Sequence, residues 1–83
     1  MNNTASNPSP VSFRIVARAP GAPEVWTDRN TATVYRFAVW VQSEVKGYEG
    51  EWIFCGFAST DKRAAALARK EGGVIVQTEV TAL

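Results

Sequence analysis

Three tryptophans, Trp26, Trp40 and Trp52, stand in a chain of 83 residues, with Tyr48 and Phe54 close by in sequence. Aromatic rings that face water can stack on nucleobases, because every base has a π-face, and each stacked base is worth about 1–3 kcal/mol. Arginine and lysine beside such rings would hold the phosphates between bases, a contribution that weakens with salt. The chain offers Arg14, Arg18 and Arg36 on strand-like stretches and Lys46 in a turn. The candidate nucleic-acid contacts are therefore Trp52, Phe54, Trp40, Arg36, Arg14, Arg18, Lys46 and Tyr48. These residue types also have a plainer use. Dimer interfaces favour Trp, Tyr and Phe, cores take tryptophan, and a one-residue slip in the strand reading swaps the two faces. Trp40 and Trp52 are thus open to ligand stacking or to core and interface packing. Trp26 is read as structural or flap-like, and Tyr48 is equally an ordinary exposed loop residue.

Other chemistry lacks its residues. With no His and one Cys, a Cys–His pair, a Ser–His–Asp set and a Cys/His zinc site are all excluded. The eight carboxylates are scattered, and no glycine-rich phosphate loop with its lysine is present. The chain is expected to be no enzyme and to hold no cofactor and no metal. Hydrophobic residues at 46% and charged residues at 20% are a globular composition. A net charge of +1 confines any nucleic-acid site to a local patch. The lone Cys fits a reducing cytoplasm. No apolar run reaches the length of a membrane span, and the N-terminus lacks the charged-then-apolar pattern of a signal peptide.

The elements that must carry these residues follow from periodicity. Residues 1–10 are polar, carry two prolines and read as a flexible tail before a single domain over 11–83. Phe13 to Arg18 alternates, with Phe13, Ile15 and Ala17 on one face and Arg14, Val16 and Arg18 on the other, which is a strand pattern. Pro20, Gly21 and Pro23 break it. Val25 and Trp26 restart a short extended piece, and Asp28 to Thr31 is a polar loop. Ala32 to Gln42 is rich in β-branched and aromatic residues. The turn Lys46 to Gly50 joins it to Trp52–Phe57 as a hairpin. Alternation places Trp40 with Arg36, Ala38 and Gln42, opposite Phe37 and Val39. It places Trp52 and Phe54 opposite Ile53, Cys55 and Phe57. With one inward face per strand, the tryptophans fall outside. Ser59-Thr60-Asp61 caps a helix over Lys62–Lys70, Gly72-Gly73 stops it, and Val74 starts a last strand running to about Val80. The order is β-β-β-α-β.

This pattern resembles the OB-fold core of bacterial single-stranded DNA-binding proteins over Phe13 to Val80. Ser12 to Arg18 followed by Pro23-Glu24-Val25 is similar to the family's first strand and its D-P-E-V turn. Val34 to Val39 resembles its V-A-x-F-S-V-A strand, and Glu51-Trp52 its E-W entry to the third strand. Ala64 to Gly72 resembles its A-x-x-x-x-x-L-x-K-G helix, and Val74 to Gln77 its V-x-V-E-G strand. The resemblance implies that Trp52 matches a base-stacking tryptophan and Phe54 a position on the DNA face, with Trp40 on a strand leading to another stacking site. Ala17 and Thr78 stand where the family usually has glycine. The match runs out before the family's last hairpin arm, fifth strand and acidic tail. Short relatives of the primosomal replication protein B kind share that brevity.

The expectation is an all-β domain with one helix, an OB-fold incomplete at its end, the fifth strand missing or supplied by a partner. It binds single-stranded DNA, or RNA, in replication, recombination or mobile-element maintenance. A homodimer or homotetramer is expected, since a core this small gains from oligomerisation. The alternative is a protein-interaction module that binds or inhibits a partner through its open sheet edge.

Overall fold

Thr60 starts the helix as the sequence requires: its Oγ1 accepts a hydrogen bond from the Arg63 backbone N–H at 3.2 Å. Helix α1 then runs Asp61–Glu71, with an acid in its first turn and Arg69 and Lys70 in its last. Gly72 ends it in the left-handed conformation, φ 71°. The computed structural model describes residues 12–29 and 34–83. The expected tail over 1–10 and the beginning of the expected strand at Ala32 lie outside these.

The described residues are mostly β. The strands are β1 (Phe13–Ala17), β2 (Val25–Arg29), β3 (Phe37–Gln42), β4 (Trp52–Ala58), β5 (Val74–Gln77) and β6 (Glu79–Ala82). They form two three-stranded antiparallel sheets, in the orders β2-β1-β6 and β4-β3-β5. The short piece at Val25–Trp26 proves to be a full strand, because Asp28 and Arg29 pair with Arg14 and Phe13 instead of looping. The last strand divides at Thr78, whose N–H donates to the Arg36 carbonyl at 3.0 Å and whose Oγ1 donates to the Tyr35 carbonyl at 2.7 Å. The chain thereby leaves the β3 side and goes on to pair with β1, linking the two sheets.

The core sits between these sheets. Ala17 of β1 meets Ala38 and Trp40 of β3, all nearly inaccessible to solvent. Helix α1 packs on the opposite face of β3, β4 and β5. There Ala64 is fully buried, and Gly56 lets Leu67 approach, since a Cβ on that glycine would stand 3.1 Å from Leu67 Cδ2. Strand β3 is therefore covered on both sides, and Ala38, Val39 and Trp40 are buried in succession.

That double cover corrects the expected placement of Trp40. The alternation Ala38–Trp40 against Val39 holds, but neither face of the strand meets water, and Trp40 is 1% exposed. A second correction concerns β4: Trp52 and Phe54, expected on the outer face, lie on the core side, and Ile53 is the exposed residue at 49%. The pairing steps from Val39↔Gly56 to Trp40↔Phe54, so Cys55 is an extra residue in a β-bulge. The bulge breaks period two and brings Phe57 to the same side as Trp52 and Phe54, where all three pack against the Ala17–Ala38–Trp40 cluster.

Gly73 seats the helix exit against β3. A Cβ there would meet the Trp40 backbone oxygen at 2.5 Å and Val39 Cγ1 at 3.1 Å. Gly73→Ala is expected to cost about 1–3 kcal/mol by overpacking, read as a lower denaturant midpoint at unchanged slope.

Candidate nucleic-acid interface

The rings on the inner side of β4 form a connected row. From the buried end, Trp40 meets Phe54 edge-on at 5.3 Å between centroids, and Phe54 meets Phe57 edge-on at 4.8 Å. Phe57 then stacks parallel on Tyr35 at 5.4 Å, and the Arg29 guanidinium lies 4.6 Å from the Tyr35 ring centre. Arg29 Nη1 also donates to the Tyr35 hydroxyl at 2.8 Å. Trp52, Phe54, Phe57 and Tyr35 are all half-buried. Each is held by the core on one side and retains some surface.

Solvent reaches this side of the sheet at two places. At one, Trp52 is shared by two grooves. The first lies between β3 and the helix exit, with Gln42, Ser43, Gly72 and Gly73 in its walls. The second lies between the Pro20–Pro23 turn and the hairpin residues Glu49–Glu51. At the other, Tyr35 and Phe57 line a groove with Ser59, Arg63 and Leu67.

The two places differ in charge. Glu44, Glu49 and Glu51 line the grooves at Trp52. Arg29 and Arg63 flank the Tyr35–Phe57 stack. Arg29 Nε is buried without a hydrogen-bond partner among the described residues, and Arg29 has no ion pair there either. Carboxylates thus gather around Trp52, and two arginines flank the Tyr35–Phe57 stack.

The sequence-selected residues divide accordingly. Phe54 belongs to the row, and Trp52 lies on the same side of β4, packed against the Ala17–Ala38–Trp40 cluster. Trp40 anchors the row from inside, and no base can reach a ring so enclosed. Tyr48 is 60% exposed in the hairpin turn, with Lys46 exposed beside it. Arg36 is exposed over a separate small groove with Phe37, Gln77, Thr78 and Val80.

Arg14 and Arg18 are not free to serve phosphates. Arg14 makes a bidentate pair with Asp28, Nε to Oδ1 and Nη2 to Oδ2, both at 2.9 Å. Arg18 binds Glu79 at 2.8 Å and also Glu24. Their shared face thus opposes two arginines with three carboxylates. Trp26 is 54% exposed on this face, under the Arg14 guanidinium at 4.4 Å. Sequence reasoning missed Arg29, Tyr35, Phe57 and Arg63. Gly56 was the available signal, since a glycine inside a strand marks a bulge or a close approach.

Cys55 sits at the bulge, and burial, with Glu71 nearby, pushes its thiol above the ordinary value. Among the described residues there is no cluster of three metal-ligating side chains and no helix long and apolar enough to cross a membrane. No family model, no curated protein and no solved structure matches this chain.

The hydrogen bonds from Arg14 hold the Asp28 carboxyl below its ordinary range. A depressed carboxyl stabilises the fold above its unfolded-state pKa, and that contribution disappears as pH falls through the folded-state value. Carboxyl NMR should therefore show Asp28 titrating below a free aspartate, and Arg14→Ala should move its midpoint upward. The accompanying stability change is small, because both groups face water.

Proposed function

We propose that this protein binds single-stranded nucleic acid, with the bases on Trp52 and on the Phe54–Phe57–Tyr35 row, and the phosphates toward Arg29 and Arg63. The observation that supports this most is the row itself: the half-buried rings of Phe54, Phe57 and Tyr35 in a chain of contacts, with the Arg29 guanidinium on the last of them and Trp52 packed on the same core cluster. Stacking on such a platform tolerates any base, and the modest net charge suits a local phosphate track. The two sheets, linked by one strand that leaves β3 for β1, fit an OB-type barrel left open between the free edges of β2 and β4, and the row lies along β4. On this reading the chain is a non-catalytic module acting on DNA or RNA single strands in replication or recombination, in the cytoplasm.

The acidic hairpin favours a second reading. Glu44, Glu49 and Glu51 around Trp52 oppose a polyanion there and suit a protein partner docking on the indole.

Titration with labelled oligo-dT at low salt separates the two. The nucleic-acid reading expects tryptophan fluorescence to be quenched. Trp52→Ala should weaken binding by about 1–3 kcal/mol, roughly 5- to 150-fold, while retaining a cooperative melt. Arg63→Gln, at an exposed position, should lower the slope of log K against log salt by about 0.7. No quenching at low salt would sink this reading and leave the protein-docking one.

A further inference from the structure

Strand β5 is the outer strand of its sheet, and all four of its residues are exposed. Three are β-branched and apolar: Val74 at 47%, Ile75 at 44% and Val76 at 37%. The direction of its backbone groups follows from one bond. The Thr78 N–H donates to the Arg36 carbonyl, so Arg36 and Thr78 are a hydrogen-bonded pair. Counting back by twos, Val76 and Val74 also turn their N–H and C=O toward β3, while Ile75 and Gln77 turn theirs to the free edge. Such an edge is a template for another strand, and natural edges are blunted with lysine, proline or a bulge. Val74–Gln77 has none of these.

We propose that two copies of this chain pair antiparallel through β5, with Ile75 opposite Gln77 of the second copy and Val76 on the two-fold axis. This is the register in which both outward-facing residues of each copy meet both of the other. A shift of two residues toward the helix sets Gln77 against Gly73, whose N–H already caps the helix at Ala68. A shift the other way sets Ile75 against Glu79, which belongs to β6 and its pairing with β1.

The occupant is a second copy because the strand complements itself. It carries no charge, so the pairing places no like charges opposite one another. In the proposed register Val74 faces Thr78, and the pairing stops there, because Glu79 is already paired with Val16 of β1. A two-fold axis makes every contact count twice. Pairing joins the sheets into one, β4-β3-β5-β5-β3-β4, and the Val76 pair extends the apolar side that carries Ala38 and Trp40. A chain whose largest fully buried side chains are only Trp40, Ile15 and Val39 among the described residues gains most from such an extension. The proposal does not depend on nucleic-acid binding, and its test uses none.

The experiment uses the full chain with Cys55→Ser, to which Val76→Cys or Ile75→Cys is added. Residues facing each other in a non-hydrogen-bonded antiparallel pair have Cα atoms about 4.5 Å apart, within disulfide reach. Val76→Cys should give a covalent dimer on mild oxidation, and Ile75→Cys should not, because the two copies of that position lie offset along the strands. By sedimentation, the unmodified chain should have twice its monomer mass at micromolar concentration. Ile75→Lys should halve that mass with the circular dichroism spectrum kept. Gln77→Pro, which removes an outward N–H without touching a bond to β3, should do the same should the lysine variant fail to fold. An unmodified chain that stays monomeric at high micromolar concentration overturns the proposal. So does equal cross-linking from both cysteine positions.

Discussion

The enclosure of one indole organises this molecule. Trp40 lies between the β2-β1-β6 sheet and its own sheet, and helix α1 closes the other side of the strand that carries it. Burying a tryptophan removes about 150–250 Å² from water, which at about 25 cal/mol per Å² is worth roughly 4–6 kcal/mol. The indole Nε1 has no hydrogen-bond partner among the described residues, a cost of about 1–3 kcal/mol against that gain. The position of this ring fixes that of Phe54, which fixes Phe57 and then Tyr35. The surface that could meet a ligand is thus the outer end of a stack that begins in the core. Such a row is stiff, and stiffness reduces the ordering cost of binding.

Local patterns that depend on few neighbours were legible in the sequence. The β1 alternation holds, with Ile15 and Ala17 buried. The Thr60 cap and the Gly72 stop define the helix as their chemistry requires, and the turn at Lys46–Gly50 closes the hairpin. The mainly β architecture with one helix follows from these. What the sequence did not reveal depends on tertiary layers. An alternating strand shows which side chains share a face, but not whether a helix lies over the second face. That is why Trp40 was expected outside. The Cys55 bulge is invisible to a strict count of two, so Phe57 was sent away from Phe54. The β2 strand hides because Asp28 and Arg29 are loop-like residues that β1 recruits through Arg14. The turning of the last strand at Thr78 rests on hydrogen bonds to Tyr35 and Arg36, more than forty residues back.

Charge divides the surface into regions with different uses. The outer side of β1 and β2 satisfies its arginines internally, and Trp26 lies beneath one of them. The hairpin loop is acidic around Trp52, whereas Arg29, bonded to the Tyr35 hydroxyl, and the exposed Arg63 stand near Tyr35 and Phe57. The free edge of β5, apolar and uncharged, is a surface of a third kind and suits neither phosphate nor an acidic partner.

The central claim is that Trp40 is sealed inside while Trp52 is not. A chain with Trp26→Phe and Trp52→Phe leaves Trp40 as its sole fluorophore. Acrylamide quenching of that variant, compared with the same chain in denaturant, measures the enclosure directly. The account predicts blue-shifted emission that acrylamide barely reaches until the protein unfolds. Emission at the wavelength of free indole, quenched as strongly in the folded as in the unfolded chain, would contradict it and return the β3 tryptophan to the outer face.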